Sequence, residues 1–121
     1  MPHRLLALGL LLAAPCSFAQ ELSAACETEL ALSALPAHLR GDATVYVFDG
    51  DGYSPARRGE GPFTCIVERN HPMALIPQCL DREGTETIFP ALVWKSQRVM
   101  SGDDPEEVRA EHARRLAAGD Y

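Results

Sequence analysis

The chain has 121 residues, with 17 acidic and 11 basic side chains, a formal net charge of −6 and a mean hydropathy of −0.11. One domain is the limit at this length. Such a chain buries only about two thirds of its unfolded surface, so its core is marginal without a cross-link or a partner. The acidic balance disfavours nucleic acid and anionic membrane surfaces as partners, because both bind basic patches.

The first 19 residues have the pattern of a secretory signal peptide. A basic start is followed by an apolar run over 5–14, and small residues precede a predicted cut between Ala19 and Gln20. The alternative is a membrane anchor, but a span needs about 20 apolar residues. We therefore predict that 1–19 is a signal peptide with a helix over 4–14, and that 20–121 is a single small α+β domain, periplasmic or secreted.

Cleavage there removes Arg4 and no acidic residue, which leaves 10 basic and 17 acidic side chains and a net charge near −7. No membrane association is expected after cleavage. A lipid-anchored alternative that uses Cys16 is disfavoured because Pro15 precedes it, where such signals need Gly, Ala or Ser.

Three cysteines remain in the predicted mature chain, Cys26, Cys65 and Cys79, and at least two should pair in an oxidising compartment. A bond between Cys65 and Cys79 is favoured because both flank a compact segment with two prolines. Closing a loop of about 15 residues contributes about 3 kcal/mol. Cys26 is then unpaired, as a small buried hydrophobe on a helix or as a thiol that pairs with another chain.

The first predicted element of the mature chain is an amphipathic helix over 22–35, with Leu22, Cys26 and Leu30 at helical spacing. A strand over 44–48 follows, rich in β-branched and aromatic residues, and it runs into a turn at 49–52.

Two further strands are predicted. Residues 53–58 can return as a polar edge strand with Pro55, and a turn at 59–62 leads to a third strand over 63–69, with Phe63, Cys65 and Val67 on one face. The expected fold is a three-stranded antiparallel meander covered by helices.

The C-terminal third is predicted to contain a loop and two helices. Residues 70–84 have too many prolines for regular structure and are predicted as a loop fixed by the disulfide, with Glu68, His71 and Asp81 solvated around it. Helical pattern resumes at Thr87 and ends at Gly102.

The last helix has the clearest local signal. Asp104 is its N-cap and Pro105 its first residue, and Gly119 ends it. Val108, His112 and Leu116 follow at intervals of four and form its expected apolar stripe.

No motif names a reaction. A calcium site is one reading of the acidic, glycine-rich segment Asp49, Gly50, Asp51 and Gly52. The segment lacks the residues that an EF-hand loop requires at its fifth and sixth positions, and it fits a hairpin turn instead. The histidines lack the spacing of structural zinc sites, so no metal or cofactor is expected. Trp94 is either a core side chain or a partner contact, since Trp is enriched at binding hot spots.

Seven short segments together resemble a group of uncharacterised exported bacterial proteins: P-A-H-L-R (36–40), T-V-Y-V (44–47), D-G-Y (51–53), F-T-C-I-V-E-R (63–69), H-P (71–72), P-Q-C (77–79) and E-G-T (83–85). The resemblance covers most of the mature chain. It implies that Cys65 and Cys79 belong to the group's pattern and that members tend to run longer, and it carries no established activity.

The sequence favours a non-catalytic binding or structural module whose partner is a protein or a small molecule. The alternative is a secreted enzyme that uses Cys26 or His71.

Overall fold

The computed structural model describes Cys16 and residues 22–121, which form an α+β fold with a four-stranded mixed sheet. The predicted helix over 4–14 and the predicted cleavage site at Ala19 and Gln20 lie outside the described residues. The elements in chain order are α1 (Ala24–Leu32), a 3-10 turn (Ala37–Leu39), β1 (Thr44–Phe48), β2 (Tyr53–Arg57), β3 (Thr64–Glu68), β4 (Ile76–Leu80), α2 (Arg82–Thr87), α3 (Phe89–Met100) and α4 (Pro105–Ala118).

The prediction of a three-stranded antiparallel meander is wrong. The strand order is β2-β1-β3-β4, in which β1 pairs antiparallel with β2 but parallel with β3. The strands at 44–48 and 53–57 do form the expected hairpin, and Pro55 lies on the sheet edge. The third strand, however, joins the other side of β1, which therefore becomes a central strand.

Close backbone contact explains this topology. After β2 the chain passes the start of β1, where the Gly61 N–H donates to the Asp42 carbonyl (2.9 Å) and the Thr44 N–H donates to the Phe63 carbonyl (3.0 Å). A Cβ on Gly59 would lie 1.9 Å from the Asp42 oxygen. The sequence at 59–62 also fits a tight turn, but Gly59 and Gly61 instead let the chain cross the start of β1 in close contact with Asp42.

The predicted loop at 70–84 is also corrected, because it contains β4 and the start of α2. Pro77 disfavours a strand in sequence terms, but β4 is an edge strand. Cys65 and Cys79 are directly opposite with Cα atoms 4.1 Å apart, the closer spacing of non-hydrogen-bonded antiparallel pairs. Val67 and Pro77 form the pair two residues further along, which is therefore also a non-hydrogen-bonded pair. In such a pair the backbone N–H points away from the partner strand, so Pro77 removes no hydrogen bond to β3.

The helix predictions hold in outline. The N-cap Asp104 accepts from the Glu106 and Glu107 N–H groups, and Gly119 caps the end of α4 with φ of 74°. The helix predicted from Thr87 is α3, which begins two residues later at Phe89 and has Pro90 in its first turn, while Thr87 itself is the last residue of α2.

Helices cover both faces of the sheet. Val45, Val47, Cys65 and Val67 pack with Ala31 of α1, whereas Glu68 on the opposite face reaches α3. All five residues of β3 are consequently buried, so the expectation of a single packed face is incomplete and Glu68 is not solvated.

Both disulfides lie at the α1 side. Cys65 and Cys79 are bonded across β3 and β4, and Cys16 is bonded to Cys26 of α1. The expectation that Cys26 is unpaired is therefore wrong for the chain that retains Cys16. It rested on removal of residues 1–19, which takes away the bonding partner.

The buried face of α1 contains a charge. Glu27 is 1% exposed, and its carboxylate accepts two hydrogen bonds from Arg69, at 2.8 and 3.0 Å, and one from the Phe48 N–H at 3.0 Å. The buried stripe of α1 therefore lies one residue further along the chain than the stripe predicted from Leu22, Cys26 and Leu30. The fully buried positions within α1 are Glu27 and Ala31.

Arg69 joins the two layers. Its side chain reaches α1, and its backbone N–H donates to Ser96 Oγ of α3 at 2.9 Å. The guanidinium also lies 4.8 Å from the Phe48 ring centroid and donates to the Tyr53 hydroxyl at 3.2 Å. Burial lowers the pKa of Arg69, but its hydrogen bonds to Glu27 and Tyr53 outweigh this and raise the pKa above its ordinary value.

We expect Glu27→Ala to lower the free energy of unfolding by about 3–5 kcal/mol, because it leaves the Arg69 charge buried without its partner. Urea unfolding monitored by circular dichroism measures this. The matched control is Glu29→Ala on the exposed side of α1, with a change within about 0.5 kcal/mol. Equal losses in the two variants would show that the ion pair does not stabilise the fold.

Candidate functional site

The described residues form a small cleft of about 70 Å³ between α3, α4 and the end of β3. Val99 of α3 and Val108 of α4 are both buried and line it, and Asn70 lies two residues beyond the end of β3. The lining is part polar and part apolar. Its residues are Asn70, Lys95, Arg109 and His112, with Val99, Pro105 and Val108.

Lys95 is the most enclosed charge of the cleft. Its ammonium lies 2.9 Å from a carboxylate oxygen of Glu68, whose side chain is 5% exposed, while the Lys95 side chain is 19% exposed. The other Glu68 oxygen accepts from the Gln78 side chain. An ammonium has three donors and this ion pair uses one, so Lys95 can donate to a further group in the cleft.

His112 lies opposite on α4, where its Nδ1 shares a hydrogen bond with the Tyr121 hydroxyl. The expected apolar stripe of α4 is only partly correct, since Val108 is buried but Leu116 is 58% exposed. Partial burial, followed by the nearby Lys95 charge, lowers the pKa of His112 against the opposing effect of Glu68. The lowered pKa favours the neutral imidazole of His112 more than in an ordinary histidine, whose pKa is near 6.5.

Arg109 contributes a second, exposed cation. Its Nη1 lies 2.6 Å from Glu106, and both side chains are mostly in solvent. Such a pair contributes little to stability, so Arg109 is free to reorient toward a ligand at small cost.

The chain's own residues surround Trp94, the predicted partner contact. The ring is half-buried, with the Arg115 guanidinium 4.4 Å from its centroid and the Arg98 guanidinium at 5.3 Å. The Tyr121 ring lies 6.1 Å away in an edge-on arrangement. Trp94 therefore packs α3 against α4 next to the cleft, and whether it also contacts a partner stays a prediction.

The remaining predicted site residues do not converge. His71 is exposed in the loop after β3, where its Nδ1 accepts from the Met73 N–H at 3.2 Å. Asp49 is used within the hairpin turn, where Oδ1 accepts from the Asp51 and Gly52 N–H groups. Among the described residues no group of three or more His, Cys, Asp or Glu side chains is placed to hold a metal ion.

Sequence reasoning missed Lys95, Asn70 and Arg109 as residues that line the cleft. Lys95 is the one lysine of the chain and interrupts the apolar pattern of α3, which is a weak signal for a special position. Asn70 and Arg109 have no distinguishing sequence context, because their proximity depends on how α4 folds back along α3.

The chain was compared with known proteins in three ways. No family model, curated protein or solved structure matches it. None of the described helices has the length and apolar character that crossing a bilayer requires. The two disulfides are compatible with an extracellular or periplasmic protein.

We expect the imidazole of His112 to titrate below about 6.5 in NMR spectra of the folded protein. With this lowered pKa, the unfolded chain binds a proton more readily than the folded chain. The free energy of unfolding therefore has its full value above about pH 6.5 and falls as the pH drops from there through the folded-state pKa of His112. In His112→Gln the stability loss between pH 7 and 5 should be smaller. A midpoint at or above the ordinary value would contradict the burial of the ring.

Proposed function

We propose that the chain is an exported, disulfide-stabilised, non-catalytic binding module that belongs to the group of uncharacterised exported bacterial proteins it resembles. The observation that carries the proposal is the cleft between α3 and α4, in which polar side chains with unused donors adjoin apolar ones. Concave sites of this mixed character are the usual form of binding sites.

The buried charges support a stabilising role over a catalytic one. Glu27 and Arg69 saturate each other and their backbone neighbours, and Glu68 is held by Lys95 and Gln78. The alternative enzyme would use Cys26 or His71. Cys26 is bonded to Cys16 in the structure, but the proposed exported form lacks Cys16, so the reactivity of the Cys26 thiol in that form decides between the two functions.

The export proposal has a consequence for Cys26. If cleavage between Ala19 and Gln20 precedes disulfide formation, Cys16 is removed and Cys26 stays a half-buried thiol, while the bond between Cys65 and Cys79 is unaffected. Loss of the first bond should be tolerated, because the second one closes the sheet.

Mass spectrometry of the protein recovered from the periplasm or medium without reductant should find Gln20 as the first residue and Cys65 linked to Cys79. Cys26 should then react slowly with a thiol reagent, without a depressed thiolate pKa. Recovery of chains that still contain Cys16 linked to Cys26 would contradict the cleavage site. Rapid labelling at a low pKa would favour the enzyme.

The binding role is tested with three simple probes in two-dimensional NMR titrations: acetate, methylammonium and isopropanol. We expect at least one to shift the amide resonances of Asn70, Val108 and His112 in a saturable way. The exposed hairpin turn at Gly50 provides internal reference resonances that should not move. No saturable shift with any of the three probes would remove the cleft as a binding site.

A further inference from the structure

The charge of the cleft is opposite to that of the chain. The protein carries a net charge of −6, yet of the described residues that line the cleft two are basic and none is acidic. Glu68 lies behind Lys95 with 5% of its side chain exposed, and both of its oxygens have partners. An anion that reaches Lys95 therefore meets no exposed carboxylate there, whereas at Arg109 it competes with the exposed Glu106 for the guanidinium.

The polar lining is rich in donors. Lys95 retains two N–H donors after its contact with Glu68, Arg109 retains most of its five, and Asn70 carries an amide. His112 adds a neutral imidazole whose Nε2 has no hydrogen-bond partner among residues 22–121. A carboxylate has two acceptor oxygens that such donors can share.

The size of the cleft restricts the occupant. At about 70 Å³ it is several times larger than a single water requires but far below the roughly 300–1,000 Å³ of sites that enclose a whole ligand. The apolar lining from Val99, Pro105 and Val108 suits a short aliphatic group beside the charged end. Only a terminal group of a larger ligand, or a very small acid, fits.

We propose that this cleft binds the carboxylate of a short aliphatic acid or of a peptide chain end, with Lys95 and Arg109 as the charged contacts. The proposal rests on the binding role proposed above and names its ligand chemistry. It also predicts that a bound carboxylate raises the pKa of His112, because a nearby negative charge favours the imidazolium.

The test is an NMR titration of the full domain with acetate and with acetamide, which has the same shape and no charge, at constant ionic strength. Acetate should shift the cleft resonances and raise the His112 midpoint, and acetamide should do neither. Lys95→Gln, which retains a donor for Glu68, should weaken acetate binding by about tenfold or more. Arg109→Gln should weaken it by about two- to fivefold.

Arg82→Gln is the matched control, because Arg82 is exposed at the start of α2 and does not line the cleft. Arg109 is exposed, so its variant keeps the test valid if Lys95→Gln does not fold. A tripeptide with a free C-terminus that binds more tightly than acetate, while its amidated form does not bind, identifies a peptide end as the source. Equal affinity of the free tripeptide and acetate identifies a small acid.

Two results would overturn the inference. If acetamide, methylammonium or isopropanol shifts the cleft resonances as strongly as acetate, the cleft binds ligands but does not select carboxylates, and only the inference fails. If none of the probes shifts them, the proposed binding role fails as well.

Discussion

The buried contact between Arg69 and Glu27 is the interaction on which the arrangement of the layers depends. A guanidinium removed from water requires a carboxylate and further acceptors in fixed positions, and here these come from α1, from the Val67 carbonyl and from the Tyr53 hydroxyl. The Arg69 backbone is meanwhile fixed to Ser96 of α3. One residue at the end of β3 therefore sets the position of a helix on each face of the sheet.

The same constraint positions the cleft. Because Arg69 is fixed on both sides, the next residue, Asn70, is directed to the edge of the α3 layer. Glu68, one residue earlier, points to that layer and holds Lys95. The buried network and the cleft are thus consecutive along three residues of chain, with the groups that bind Glu27 on the α1 side and the groups that line the cleft on the α3 side.

The sequence was sufficient to predict those elements whose conformation depends on neighbouring residues alone. Asp104 with Pro105 predicts the start of α4, and the residues at 49–52 predict the first hairpin. The order of the strands could not be predicted in this way, because the crossing past Asp42 uses the same glycines that a tight turn would use. Pro77 obscured β4, since its effect depends on which edge of the strand faces solvent.

The candidate site was harder to predict than the fold. Neither Glu27 nor Lys95 belongs to a motif, and each acquires its role from a residue more than 25 positions away. Cys26 illustrates a different limit, in that its pairing depends on whether the chain retains Cys16. A single sequence read for one state of the chain gives only one of the two outcomes.

The prolines at both margins of the sheet restrict how molecules of this protein can associate. Pro55 in β2 and Pro77 in β4 deprive each outer strand of a donor that an added strand would need. Edge-to-edge pairing of sheets between copies is thereby disfavoured. A continuous sheet that runs from one molecule into the next is the form of association that these two prolines oppose most directly.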